Sequence, residues 1–364
     1  MRVAILNSRQ SLRPCGGDAW IKKTIETVRW IKQNNFTLIS STGMSTWELV
    51  TALASIEQVP LELYLVQDPK QSQSEQTEHI LSQFGLAMRM VTCIQVSATA
   101  SDGKSEILHA RDMAILSAAG ILVPISIRPE GNLSSLITQA KAGGKQIVQD
   151  FETTHKKPDE QYSYMLDRQT LTSSICNCKY DYIIHWTRAT HGRWPNERSL
   201  DYYRDIISSI KYPRGAFDTL CRILEQRKIL GSAWRMPGKI ATASFSDLAP
   251  SEAISLMRWR ARFSQMSFEP YGIGIRKEYA QRLGIEPVVY YDSSDKSSVG
   301  GIEPWQTQSI GQVTDWRNEH EYRMRGDCDL STVPAEQMCV FTRFAKEAVS
   351  VRKKFGFEAV SFLD

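Results

Sequence analysis

The feature that most constrains this chain is an alternation in its first 150 residues, where short apolar runs are separated by stretches with helical spacing. Val3-Ala4-Ile5-Leu6 reads as a buried strand within 2–7. Asp18 then stands as the N-cap of a helix that carries Trp20, Ile21, Ile25, Val28 and Ile31 on one face. Further strands are expected at 36–39, 61–66, 88–96, 121–127 and 145–148. Helices are expected from near Trp47 and over 75–84, 106–118 and 133–142. Apolar strands joined one after another through helices favour a mostly parallel sheet with helices on both faces, an α/β domain.

Right-handed crossovers place the carboxyl ends of such strands along one edge, where ligands bind. Three polar loops fall there. Ser41, Thr42, Gly43 and Ser45 offer hydroxyls, a glycine and a helix start that suit a phosphate or carboxylate, and equally make a competent turn. Ser8 with Arg9, and Arg128 with Gly131, add cationic and hydrogen-bonding groups. Neither Gly-x-Gly-x-x-Gly nor a Walker loop occurs, which excludes the ordinary dinucleotide and NTPase assignments.

Ser41-Thr42-Gly43-Met44, Arg111-Asp112 and the run from Val123-Pro124 through Arg128-Pro129-Glu130-Gly131-Asn132-Leu133 resemble the Rossmann-like domain of DNA-processing protein A (DprA) and its SLOG relatives. The resemblance covers residues 1–150. It implies a nucleotide-sensing domain whose partner is a nucleotide-derived ligand or single-stranded nucleic acid. The Pro-Gly-Gly-x-Gly-Thr of the nucleotide-cleaving subgroup is missing, so sensing rather than catalysis is expected of this half. Arg111 and Asp112 also fit a surface ion pair at a helix start.

With 364 residues the chain accommodates two domains. A polar, Pro-broken linker is expected at 151–179, with His155 solvated and Tyr162, Tyr164, Met165 and Leu166 packing against a domain. The second domain then covers 180–364. Lys and Arg outnumber Asp and Glu by 44 to 40, a net charge of +4 that is too mild to imply nucleic acid by itself. Seven scattered cysteines form no disulfide framework, and Cys176-Asn-Cys178 has no second pair at zinc spacing, so no metal site is assigned. No run spans a bilayer and the N-terminus lacks a signal peptide's apolar region, so a soluble, cytoplasmic protein without membrane contact is expected. A homo-oligomer is compatible with this composition.

The second half opens on Tyr180-Asp-Tyr-Ile-Ile-His-Trp-Thr187, a strand of aromatic and β-branched residues ending in an imidazole, an indole and a hydroxyl. Helices are expected at 200–210, with Tyr203, Ile206, Ile207 and Ile210 at core spacing, and at 217–230, stopped by Gly231. Strands are expected at 240–245, 271–275 and 287–291. A basic amphipathic helix is expected at 252–263, carrying Arg258, Trp259, Arg260 and Arg262. A Ser/Gly-rich loop of the kind that covers a site runs over 292–312. A helix–strand pair closes the chain over 344–363. Short strands with segregated helices indicate an α+β module.

Three elements could carry chemistry: His185 with Thr187, Ser244 with Ser246, and Glu319 with Glu321. If 319–323 is a strand, both carboxylates share a face because side chains alternate with period two. Such a carboxylate can stabilise an oxocarbenium ion as a base leaves a ribose. Each also has an ordinary structural reading: His185 as a hydrogen-bonded core residue, the serines facing solvent, and Glu321 paired with Arg323.

His185-Trp186-Thr187, Leu224-Glu225 to Leu230, Ser244-Phe245-Ser246 and Glu319-x-Glu321 are similar to ADP-ribosyltransferases of the DarT-like group. The layout of Tyr271-Gly-Ile-Gly-Ile275, Pro287-Val-Val-Tyr290 and Glu321-Tyr-Arg323 also resembles AbiGi-type abortive-infection proteins. The resemblance covers about 180–335. It implies Glu321 as catalytic, Glu319 as positioning the acceptor, and His185 with Thr187, Ser244 and Ser246 as holding NAD, the substrate. The insert at 188–213 departs from that pattern. The resulting expectation is an antiphage effector that senses a nucleotide or nucleic acid and then transfers ADP-ribose or hydrolyses NAD. The alternatives are a DprA-like single-stranded DNA-binding factor, with Arg258, Arg260, Arg262, Arg276 and Lys277 on phosphates, and a magnesium nuclease using Asp292, Glu319 and Glu321.

Overall fold

The computed structural model describes residues 1–364 apart from 69, 97–103, 158–160, 165, 179–180, 293, 295–298 and 311–315, and apart from the side chains of 104, 105 and 316. The expectations for Met165 and Tyr180 lie outside the described residues, as does part of the 292–312 loop. Two compact units emerge, the first comprising 1–160 and 191–213, the second 161–190 and 214–364.

The first unit begins β1 (Arg2–Asn7), α1 (Ala19–Gln33), β2 (Thr37–Ser41), α2 (Ser45–Glu57), β3 (Leu61–Val66) and α3 (Gln73–Phe84). It continues β4 (Val91–Val96), α4 (Lys104–Ala118), β5 (Ile121–Ser126), α5 (Asn132–Ala142) and β6 (Gln146–Ile147). All six strands run parallel in the order β4-β3-β2-β1-β5-β6, which is a Rossmann-like sheet. The period of two divides each strand between two cores. Val3 and Ile5 face α1 and α2, while Ala4 and Leu6 face α4 and α5. Strand order reverses beside β1, so the switch point lies between the carboxyl ends of β1 and β5.

The second unit contains α6 (Ser173–Cys176) and β7 (Tyr182–Trp186). The chain then leaves for the first unit with α7 (Ser199–Ser208) and returns as α8 (Ala216–Gln226), β8 (Lys228–Ile229), β9 (Thr242–Ser246), α9 (Pro250–Ala253), β10 (Trp259–Arg260) and β11 (Gln265–Met266). Next come β12 (Gly272–Arg276), α10 (Lys277–Arg282), β13 (Glu286–Pro287), β14 (Val289–Asp292) and β15 (Thr307–Ile310). The last elements are β16 (Glu321–Arg325), β17 (Cys328–Asp329), β18 (Met338–Phe344), α11 (Ala345–Phe355) and β19 (Ala359–Leu363). The main sheet is mixed, ordered β13-β16-β9-β7-β12-β18-β19, and only its β18–β19 pair is parallel. No helix among the described residues is long and apolar enough to cross a membrane.

Several sequence expectations are corrected. The segment 191–213 belongs to the first unit, where Leu200, Tyr202, Tyr203 and Ile206 complete the core beside α2 and α3. Ile210, expected at core spacing, is 87% exposed because α7 ends at Ser208. The excursion is pinned where it leaves and returns by a 2.9 Å bond from Thr190 N–H to the Arg214 carbonyl. The helix expected at 217–230 stops at Gln226, with Arg227 left-handed at φ 52° and its guanidinium over Phe357, so that Ile229 can join β8 and be buried. The helix expected at 252–263 is instead two short turns followed by the β10–β11 hairpin. Arg260 there reaches Ser267 and Glu319, and tertiary bonds override local propensity.

Candidate functional site

Along the carboxyl edge of the first unit's sheet, several of the anticipated ligand groups are already hydrogen-bonded within the fold. Ser8 Oγ accepts the Arg128 N–H at 2.9 Å, and Ser41 Oγ donates to the Tyr64 carbonyl at 2.6 Å. Gly43, left-handed at φ 85°, donates its N–H to Glu48, whose other oxygen accepts from Tyr203 of the inserted helix. Gly131 leaves room for the Arg128 side chain, which a Cβ would meet at 3.2 Å. Arg9, Ser45 and Arg128 are exposed, and Thr42 is half-buried. Arg111 is no surface residue: it is 1% exposed, bonds Asp112 and the Thr42 carbonyl, and so holds the loop from beneath. His155, expected to be solvated, is half-buried. Its ring lies by Gln10 and Ser126, and burial followed by the Arg128 charge pushes its pKa down.

The second unit gathers chemistry differently. Three adjacent strands carry the groups singled out from the sequence: β16 with Glu321, β9 with Ser244 and Ser246, and β7 with His185. Strands β9 and β7 pair at one position only, Ile184 with Ser246. Beside this sparse junction lies a cavity of about 340 Å3, whose lining includes His185, Trp186, Arg188, Ser244, Glu319 and Glu321, together with Trp234, Arg235, Arg260 and Phe263. A wider depression of about 860 Å3 next to α9 holds His320 but neither glutamate.

The sequence folds this way for local reasons. Glycine at 272 lets the Trp186 ring approach β12 closely, because a Cβ there would come within 2.9 Å of the indole. The condition that 319–323 be one strand is not met: Glu319 ends a 3-10 turn and β16 begins at Glu321. His320 then takes φ 46°, and the turn returns both carboxylates to one cavity by a route other than strand alternation. Ser246 secures that turn by donating from Oγ to the Glu319 carbonyl at 2.7 Å.

His185 Nδ1 lies 2.8 Å from the Ser244 carbonyl. A carbonyl only accepts, so Nδ1 carries the proton and Nε2 presents a lone pair. Burial pushes the ring's pKa down to about 4, with the Arg188 charge acting the same way, so the imidazole is neutral at pH 7. Glu319 is raised, first by burial and then by repulsion from Glu321, against the pull of Arg260, which bonds it at 2.8 Å. Glu321 is gripped by Arg323 through two bonds of 2.8 and 2.9 Å. Arg323 is itself buried and held by the Trp305 and Thr307 carbonyls and the Gln308 side chain. The ion pair anticipated as a structural reading is thus present, and it fixes the Glu321 carboxylate at the cavity wall.

Of the other expected residues, Thr187 is buried with its hydroxyl on the Ala216 and Tyr271 carbonyls, and neither it nor Ser246 lines the cavity. Asp292 bonds Ser294 and lies outside the cavity as well. Among the described residues, no group of three His, Cys, Asp or Glu side chains gathers as for a metal ion. Sequence reasoning missed Arg188, Arg235 and Glu269. Glu269 is 2% exposed, accepts from Ala189 N–H at 2.7 Å and from the Tyr164 hydroxyl, and so braces the backbone beside Arg188. Glu269 and Arg188 lie 81 positions apart in the chain, so no local pattern links them. No protein-family model and no curated protein matches the chain.

Proposed function

We propose that the second unit binds NAD and cleaves its nicotinamide–ribose bond, passing ADP-ribose to water or to an acceptor. The observation that carries this reading is the convergence of a neutral imidazole with a free lone pair and two carboxylates on one cavity of nucleoside-accommodating size. His185 Nε2 suits a ribose hydroxyl donor. Glu321, immobilised by Arg323, is placed to stabilise positive charge at the ribose carbon as neutral nicotinamide departs with the bonding electron pair. Glu319, whose raised pKa makes it the better proton acceptor, takes the proton from the attacking water or acceptor hydroxyl. The DarT-like and AbiGi-like resemblance of this half supports the assignment and its setting in antiviral defence. For the first unit, the Rossmann-like switch point supports the sensing role that the DprA/SLOG resemblance implies.

The test is nicotinamide release from NAD by the full chain, with single-stranded DNA and a panel of small nucleotides as candidate activators. Glu321→Gln is expected to lower the rate by about a hundredfold or more, as removal of a transition-state electrostatic group does. Absence of release under every condition overturns the reading. The exposed Arg258 and Arg262 favour nucleic-acid binding as the second reading, whose signature is affinity that falls steeply with salt.

A further inference from the structure

The charges around the cavity do not cancel. Arg260 is taken up by Glu319, and Glu321 by Arg323. Arg188 and Arg235 remain. Arg188 has no hydrogen bond or ion pair among the described residues, although it lines the cavity and senses the charges of Glu269, Glu319 and Arg235. Arg188 is exposed, yet desolvation by the surrounding protein pushes its pKa down. Arg235 is clamped between the rings of Trp234 and Phe263, at 3.8 and 3.9 Å from their centroids, and likewise has no carboxylate partner among the described residues. Two further polar atoms on the cavity's residues are orphaned: Trp186 Nε1, on a side chain only 7% exposed, and Ser244 Oγ. Two cations held without acceptors at one cavity describe a place prepared for an anion.

We propose that Arg188, together with the ring-clamped Arg235, forms an anion subsite that takes the diphosphate of a nucleotide bound in this cavity. The inference rests on the proposed nucleotide site and names its recognition group. Two unpaired guanidinium charges match the two negative charges of a diphosphate diester, and a guanidinium fork binds phosphate oxygens in pairs. Fixing Arg235 between two rings removes rotamer freedom before the ligand arrives, and the Glu269 bond to Ala189 N–H does the same for the backbone next to Arg188.

Binding to the full chain is read by calorimetry with ADP-ribose, inorganic pyrophosphate and nicotinamide riboside, the last lacking the diphosphate. Arg188→Met is expected to weaken ADP-ribose and pyrophosphate by about tenfold to a hundredfold while leaving nicotinamide riboside unchanged, as loss of a charged hydrogen-bond donor requires. Arg188→Lys restores part of the affinity because it keeps the charge without the fork. Arg188 bonds nothing in the protein among the described residues, so an unchanged melting temperature is expected and separates a binding defect from misfolding. Pyrophosphate binding that depends on Arg188, without nicotinamide release from NAD, supports the subsite and overturns the NAD-cleaving reading. Equal ADP-ribose affinity in wild type and Arg188→Met overturns the subsite and leaves that reading standing. Failure of both phosphate-bearing probes to bind wild type overturns the subsite.

Discussion

The loops at the switch point of the first unit and the cavity of the second carry similar polar residues, yet the fold treats them in opposite ways. In the first unit, Ser8, Ser41, Gly43 and Arg111 bond to their own neighbours. In the second, His185 and Arg188 line a cavity, with Nε2 of the one and the guanidinium of the other without protein partners among the described residues, and Trp186 Nε1 and Ser244 Oγ are buried beside it without a hydrogen bond. A hydroxyl or guanidinium that completes a fold contributes to stability, whereas one left incomplete is stabilised only when a ligand arrives. Substitutions at engaged groups should therefore lower stability, and substitutions at unengaged ones should lower binding at nearly constant stability.

The largest effect is expected at Arg323. Arg323→Met strips both donors from the half-buried Glu321 carboxylate and leaves three acceptors, on Trp305, Thr307 and Gln308, without that partner. Breaking such a pair from one side costs about 3–5 kcal/mol, measurable by urea denaturation. A loss under about 1 kcal/mol would show that Arg323 belongs with the unengaged groups instead.

Next comes His185, engaged through Nδ1 and open at Nε2. Its pKa is about 4 in the fold against 6.5 in the unfolded chain, so between those values only the unfolded state binds the proton. Stability from this residue is thus fully present above pH 6.5 and is lost as pH falls through 4, by up to about 3 kcal/mol. Glu319, with its raised pKa, acts in the opposite sense, and His155 adds to the same slope from the first unit. The comparison that isolates His185 is the difference between wild-type and His185→Gln stability profiles from pH 7 to 4. A flat difference would place the proton on the ring in the native state.

How much of this was legible in the sequence follows from the range of the interactions. The parallel sheet of the first unit was readable because apolar strands and helical spacing are local patterns, and their alternation leaves few topologies. Glu319 and Glu321 were legible as a pair, but the reason given, strand alternation, was not the one the fold uses: a 3-10 turn and a left-handed His320 bring them together. Helix α7 had the right periodicity, and yet periodicity does not say which core a helix completes. Its destination is set by Tyr203 meeting Glu48, 155 positions earlier. Arg188 was illegible for the converse reason, since its distinguishing property is the partner it lacks.

In the first unit the contrast can be tested within one loop system. Ser41→Ala removes a buried donor to the Tyr64 carbonyl and should cost about 1–3 kcal/mol, while the exposed Arg9→Ala should stay within about 0.5 kcal/mol. Thermal denaturation of both variants measures the difference. Equal costs would mean that engagement, as seen in the fold, does not separate the two kinds of polar group.

The smallest and most discriminating change is Ser244→Ala. Its Oγ is buried without a hydrogen bond, so removing it relieves an unsatisfied group while the Ser244 carbonyl that orients His185 stays in place. Stability should hold or rise by about 1 kcal/mol, because the desolvation of an unpaired hydroxyl no longer has to be overcome. If the hydroxyl serves the ligand, ADP-ribose affinity in the same variant should fall by roughly fivefold, the worth of one neutral hydrogen bond. Stability that drops instead would mean that the hydroxyl has a partner in the folded protein, and Ser244 would then move from the unengaged set to the engaged one.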